Sequence, residues 1–271
     1  MSVIEAIVLG LVQGLTEFLP ISSSGHLRIV PALLGWEDPG AAFTAVIQLG
    51  TMAAVLVYFR RDLWRIALAW LRELGRPFRE LSHEAKLGWF IVLGTIPISI
   101  FGLVFSDQIE SGARDLYLIG SALILFSFVM LLAERVGSQQ REITEMNARD
   151  GIFVGFAQAL ALIPGVSRSG ATISAGLLRG FDRAAAARYS FLLSVPAVVL
   201  SGLFELRELG GGDGASPGAT IIATIAAFIS GYVAIAWLLR YLATHTLGVF
   251  VAYRIPLGVL VLVLAATGAI S

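Results

Sequence analysis

The chain reads as an all-α polytopic membrane protein: about six transmembrane helices plus two re-entrant helical hairpins, arranged as an inverted-topology repeat. Three observations predict this. First, its 271 residues are 57% hydrophobic and only 14% charged, with mean hydropathy +0.83, whereas soluble domains are about 45–50% apolar and about 25% charged. Second, two short polar breaks interrupt apolar sequence, and they resemble each other: Pro20-Ile21-Ser22-Ser23-Ser24-Gly25-His26 and Pro164-Gly165-Val166-Ser167-Arg168-Ser169-Gly170. An offset of 145 superposes Ile7 on Ile152, Gly10 on Gly155, Gln13 on Gln158, Leu15 on Leu160, Ser22 on Ser167, Ser24 on Ser169 and Gly25 on Gly170. Third, three apolar runs of spanning length lie between the breaks, so the second copy enters the membrane from the opposite side.

The elements follow in order. Residues 3–19 are apolar but contain Gln13 and Glu17 and run into Pro20. They form the first arm of hairpin one, and 27–35 is its return arm. No Lys or Arg precedes Arg28, so residues 1–19 lack the basic start of a cleavable leader and are read as mature structure. A helix needs roughly 20 apolar residues to cross the hydrocarbon core, and 41–59, 87–105 and 116–133 qualify. Residues 151–163 are too short to span and run into Pro164. They begin the second hairpin, which returns over 171–180. Spans 186–206, 219–240 and 249–270 complete the chain. It forms one membrane domain with repeat halves of roughly 1–135 and 146–271. Thr95-Ile96-Pro97 and Arg254-Ile255-Pro256 are a weaker echo of the duplication.

Cationic loops set the orientation. Connection 60–86 carries Arg60, Arg61, Arg65, Arg72, Arg76, Arg79 and Lys86, and 134–150 carries Arg135, Arg141 and Arg149. Both are read as cytoplasmic. Connection 106–115 has one cation among three acids, and 208–218 has none, so both face outward. The first hairpin then enters from outside and the second from the cytoplasm, and their tips meet near the midplane.

Ionisable groups at membrane depth are costly and are functional candidates by default. Glu17 lies four residues after Gln13 on one helical face. His26 and Arg168 sit in the two breaks, so the three converge if the tips touch. Arg168 offers a planar charged fork suited to phosphate oxygens. Gly165 and Gly170 free the backbone around it. Ser22, Ser23, Ser24, Ser167, Ser169 and Thr172 add hydroxyls, and helix starts after Gly25 and Gly170 favour anions. Together these describe a phosphate pocket, and a serine near an imidazole describes nucleophile and base. Close packing of small residues and a purely structural Arg168–Glu17 pair remain competing explanations. Asp150 reads as a helix cap. Arg179, Asp182, Arg183 and Arg188 read as solvated or headgroup-facing, and His83 and His245 receive no role. Zero net charge gives no reason to expect nucleic acid, and the absence of cysteine removes disulfides, thiolate metal sites and a thiol nucleophile.

At Gln13-Gly14-Leu15-Thr16-Glu17-Phe18-Leu19-Pro20-Ile21-Ser22-Ser23-Ser24-Gly25-His26, at Pro164 to Thr172, and at Ala252-Tyr253-Arg254-Ile255-Pro256, the chain resembles the bacterial undecaprenyl-diphosphate phosphatase family of the bacitracin-resistance type. The resemblance implies hydrolysis of undecaprenyl diphosphate to the monophosphate in the bacterial inner membrane, assisted by Mg²⁺ or Ca²⁺. It also makes a homodimer plausible. It marks Glu17, Ser23, His26, Ser167, Arg168 and Thr172 as important. Where the family carries an acid or an amide, position 13 carries the amide, which leaves Glu17 as the one carboxylate for a metal. The expected catalytic set is Ser23, His26, Glu17 and Arg168. The expected substrate contacts are Ser22, Ser24, Gly25, Ser167, Ser169, Gly170, Thr172 and Gln13. Ser23 would attack with His26 as base; His26 or water as nucleophile stays open. A transporter or flippase of a phosphorylated lipid or small anion is the alternative function, and the site is expected to open outward.

Overall fold

The computed structural model describes residues 1–112, 114–205 and 216–270. It is helical throughout, and among the described residues the only strand-like pairing is one isolated bridge, Arg141 to Phe181. The first hairpin consists of α1 (Val3–Phe18) and α2 (Ser23–Leu34), and the second of α8 (Ala148–Ala159) and α9 (Arg168–Leu178). Five helices are long and apolar enough to cross a membrane: α5 (His83–Val104), α7 (Leu116–Val136), α10 (Arg183–Glu205, over Arg183–Leu200), α11 (Pro217–Leu242) and α12 (Gly248–Ala266). A sixth candidate is α3 (Gly40–Tyr58), bent by 74° into α4 (Arg60–Arg72). These account for the six predicted spans, and the chain is a multi-pass membrane protein.

The connections hold more structure than the sequence reading gave them. Connection 60–86 contains α4, whose Ile66 is buried while Arg60, Arg61, Arg65 and Trp64 are exposed. A short helix, α6 (Ser106–Gly112), occupies the connection before α7. The predicted outward loop 208–218 lies outside the described residues as far as 215. The return arms begin earlier than predicted, at Ser23 and Arg168 rather than 27 and 171. The cause is local: Ser22 and Ser167 each cap their helix, so the next three residues already form its first turn.

Helices related by the 145-residue offset pack on corresponding, not identical, partners. Helix α1 packs on α11 and α8 packs on α5, while α3 and α10 pack on α11 and α5 respectively. Helix α7 packs on α12, and α3 on α10. Small residues permit the close approaches, as is usual between helices in lipid. A Cβ added at Gly10 would lie 2.2 Å from the Ala223 carbonyl oxygen on α11. One added at Gly155, its repeat counterpart, would lie 2.5 Å from Gly94 Cα on α5. Under the breaks sits a continuous core that includes Phe18, Phe59 and Phe191, with Phe18 edge-on to Phe191 at 5.6 Å.

The cluster read as solvated or headgroup-facing is corrected in part by this packing. Arg179 pairs with Asp150 at 2.7 Å, Arg183 pairs with Glu134, and Arg188 pairs with Asp62 at 2.8 Å. Asp182 caps α10, accepting from the Ala185 N–H at 2.7 Å. Asp150 is not the cap of α8. Asn147 is, and Asp150 is the reciprocal acid three residues in, accepting from the Asn147 N–H. Its fully buried carboxylate also receives Arg141 at 2.6 Å. Enclosure of a charge demands such partners, so Arg141 and Arg179 gather on the buried Asp150, while the side chains of Arg179, Arg183 and Arg188 keep exposed surface as the sequence reading expected.

Candidate active site

Both breaks have the same construction. Ser22 has φ 75° and Ser167 has φ 77°, a region that L-residues seldom occupy outside over-determined sites. The Ser22 hydroxyl accepts from the Gly25 N–H at 3.4 Å, and the Ser167 hydroxyl from the Gly170 N–H at 3.2 Å. Each lies near the hydroxyl two residues on: Ser22 and Ser24 are 3.3 Å apart, Ser167 and Ser169 3.1 Å. The sharp turn needs an unusual backbone just before it in the second copy, where Gly165 has φ 93°. A Cβ there would also lie 2.6 Å from the Ile119 carbonyl oxygen.

Glu17 joins the two breaks. Its Oε2 accepts from Ser23 Oγ at 2.5 Å and from Gln13 Nε2 at 3.2 Å, and its Oε1 pairs with the Arg168 guanidinium. A second bridge runs from Ser169 Oγ to the Leu19 carbonyl at 3.1 Å. The tips therefore do meet, and Ser23, Glu17 and Arg168 form one polar chain. All three are half-buried, Gln13 is buried and Ser24 is exposed, so the chain sits at the mouth of an enclosed polar floor.

His26 stands beside this chain on α2. Its Nδ1 is 2.7 Å from the Ser22 carbonyl and its Nε2 is 2.7 Å from the Tyr253 hydroxyl on α12. Both ring nitrogens are thus engaged away from Ser23, whose hydroxyl is directed at Glu17. Thr172 is buried under the tip, 2.5 Å from Ser190 Oγ and donating to the Arg168 carbonyl at 2.8 Å. It fastens Arg168 to α10. Ser22, Ser167, Gly25 and Gly170 shape the two turns. Ser23, Ser24, Glu17 and Arg168 are the predicted residues that keep some exposed surface.

The most informative residue missed by sequence reasoning is Arg254. It has no exposed surface, yet among the described residues it forms no salt bridge. It donates instead to the carbonyls of Pro20 at 3.1 Å and Gly165 at 2.9 Å, one from each break. It also donates to Ser127 Oγ at 3.1 Å and the Ala122 carbonyl at 3.5 Å on α7. One guanidinium with five fixed donors thus holds both turns against the same helix. The signal was present, since a cation inside the apolar run 249–270 is a default functional candidate. Tyr253 was missed because nothing local connects it to His26, 227 residues away.

Among the described residues no group of three or more His, Asp or Glu side chains gathers to form a protein metal cage. Glu17, bonded to Ser23, Gln13 and Arg168, offers a single carboxylate, which suits only a mode in which a hard cation is held chiefly by substrate phosphates and water.

The chain matches the model of the family described as bacitracin resistance protein BacA over residues 6–260. It is 55% identical over 269 residues to the undecaprenyl-diphosphatase of a Nocardioides species, covering 99% of this chain and 98% of that one. Against the undecaprenyl-diphosphatase of Thermobifida fusca it is 53% identical over 271 residues, covering 100% and 93%. Against that of Myxococcus xanthus it is 55% identical over 274 residues, covering 100% and 92%. With its doubled serine-capped breaks joined through Glu17, the chain belongs to the BacA bacitracin resistance protein family.

Proposed function

We propose that the protein hydrolyses undecaprenyl diphosphate to undecaprenyl phosphate and inorganic phosphate, returning a lipid carrier to cell-wall synthesis. The observation that carries this reading is the carboxylate of Glu17 bonded at once to a serine hydroxyl of one break and an arginine of the other. That arrangement holds an activated hydroxyl beside a permanent cation at the edge of an apolar medium. A lipid diphosphate needs both, with its tail left in the bilayer.

In the reaction, Ser23 Oγ attacks the terminal phosphorus and its proton passes to Glu17, the acceptor already 2.5 Å away. The bond to the bridging oxygen breaks and the lipid monophosphate leaves with that electron pair. Water then cleaves the serine phosphoester, giving inorganic phosphate and restoring the hydroxyl. Phosphoryl transfer depends mainly on positioning and charge neutralisation. Arg168 supplies the fixed charge, and the first-turn N–H groups of α2 and α9 add partial positive charge at the tips. A bound Mg²⁺ or Ca²⁺ at Glu17 would supply further charge neutralisation on the phosphate oxygens. Relative to the expected scheme, Glu17 replaces His26 as first acceptor of the serine proton, because His26 faces Ser22 and Tyr253; His26 is left as the base that takes the proton of the water cleaving the serine phosphoester.

The inverted sense of the repeat, the inner-membrane location and the outward opening are part of the same reading. The cationic connections 60–86 and 134–150 support them. A homodimer is implied by resemblance, and light scattering of the detergent-solubilised protein tests it. The decisive experiment for function is phosphate release by the purified protein in detergent with undecaprenyl or shorter isoprenyl diphosphates. Release supports hydrolysis, and acid stability of a trapped phosphoenzyme supports Ser23 as nucleophile. Binding without release would favour a transporter, which needs two compartments to act.

A further inference from the structure

We propose that Tyr253 is a positioning residue for His26, its hydroxyl holding the one imidazole nitrogen available for proton exchange. The inference rests on the phosphatase reading above.

A backbone carbonyl only accepts, so Nδ1, 2.7 Å from the Ser22 carbonyl, carries a hydrogen. In the neutral ring Nε2 is then the lone-pair nitrogen. That nitrogen is 2.7 Å from the Tyr253 hydroxyl, which donates to it. The Ser22 carbonyl thus selects the tautomer and Tyr253 covers its basic end. Any proton that His26 takes up or releases passes the tyrosine oxygen or waits until it swings aside.

Packing alone does not explain the contact. His26 is buried, and Tyr253, within the span α12, is 46% exposed. The rings lie nearly parallel, 13° apart with centroids at 5.6 Å. A phenylalanine would keep that overlap and lose only the hydrogen bond. The aim of the hydroxyl is also rigid. Its neighbour Arg254 ties α12 to α7 and to both breaks through Pro20 and Gly165. The same helix turn that clamps the two loops therefore presents an oxygen to the only imidazole in the site.

The test compares the full-length wild type with Tyr253→Phe, His26→Asn and the double variant, all in detergent. In Tyr253→Phe, kcat should fall on the order of tenfold to a hundredfold, less than the roughly hundredfold to ten-thousandfold that a proton-transfer group itself contributes. KM should stay within about twofold, and the limb of the kcat–pH profile that disappears in His26→Asn should move. In the His26→Asn background the tyrosine substitution should cost nothing more, because the pair acts as a unit. A second readout needs no turnover. The chain has three histidines, so the ¹⁵N resonances lost in His26→Asn identify His26. They should report Nδ1–H with an accepting Nε2, and the Nε2 signal should shift in Tyr253→Phe. An unchanged Nε2 signal, a wild-type kcat and pH profile in Tyr253→Phe, or additive losses in the double variant would each overturn the proposal. If the wild type releases no phosphate, the phosphatase reading falls separately, and the nitrogen signals still decide whether Tyr253 holds the ring.

Discussion

At the scale of single residues, charge placement decides the chemistry. Arg168 sits one residue after a strained serine and is half-buried against Glu17. Its planar fork is what a diphosphate requires. Replacing it by alanine should lower kcat/KM by at least about a hundredfold to a thousandfold, the cost of losing one preorganised charge stabiliser. Lysine should recover only part of that, because it restores charge without the fork. Phosphate-release kinetics read both, and wild-type rates in Arg168→Ala would end the phosphate-clamp role. Arg254 presents the opposite case, a cation held by backbone carbonyls and a hydroxyl. Its substitution by leucine would strand the carbonyls of Pro20 and Gly165 in a dry interior, at about 1–3 kcal/mol for each unsatisfied group. The expected outcome is a clear drop in melting temperature in detergent with activity lost alongside. A variant as stable as the wild type would show that the two turns hold without it.

Helices are placed by their small residues and their ends. Gly155 touches Gly94 so closely that an added Cβ would meet backbone, and backbone cannot yield as a side-chain tip can. Gly155→Leu should therefore separate α8 from α5 and cost more than about 3 kcal/mol, the upper range for overpacking. Expression and thermal melting check it, and the matching Gly10→Leu should do the same at α1 and α11. The start of α8 carries a pH dependence. Burial alone would raise the pKa of Asp150, but hydrogen bonds from Arg141, Arg179 and the Asn147 N–H outweigh it and hold its carboxyl below the usual carboxylate range. A depressed folded-state value means that the stabilisation is present in full above about pH 4 and is lost as pH falls through the folded value. Wild type should melt lower on acidification below that point. Asp150→Asn should already melt lower at neutral pH, by about 1–3 kcal/mol because the two guanidiniums stay partly wet, and should show less of the acid loss. Equal acid sensitivity in both proteins would rule Asp150 out as its source.

For the molecule as a whole, the proposed active centre draws on both breaks, and neither supplies all of its residues. Ser23 and Glu17 come from the first half, Arg168 from the second, and α12 locks them together. Orientation belongs to this scale. Because the chain has no cysteine, Ser23→Cys carries the only thiol. An impermeant thiol reagent should label it from outside intact cells, and labelling only after access to the cytoplasmic face would reverse the proposed opening.

What the chain determined by itself is local in origin. Hydropathy over about 20 residues marks α3, α5, α7, α10, α11 and α12, because each must satisfy its backbone within itself in lipid. The repeated serine–glycine turns mark the breaks, since turn chemistry acts over a few residues. Glu17, Ser23, His26 and Arg168 were legible because charged and nucleophilic groups are rare in apolar sequence. Only the tertiary structure decided who meets whom. Arg168 reaches Glu17 across 151 residues and Tyr253 reaches His26 across 227. Ser23 turns to the carboxylate rather than to the imidazole, and Arg254 serves both turns rather than echoing a proline motif. Partner choice at such separations depends on how helix surfaces interlock and on which buried polar atoms remain to be satisfied, and neither is written in any short stretch of residues.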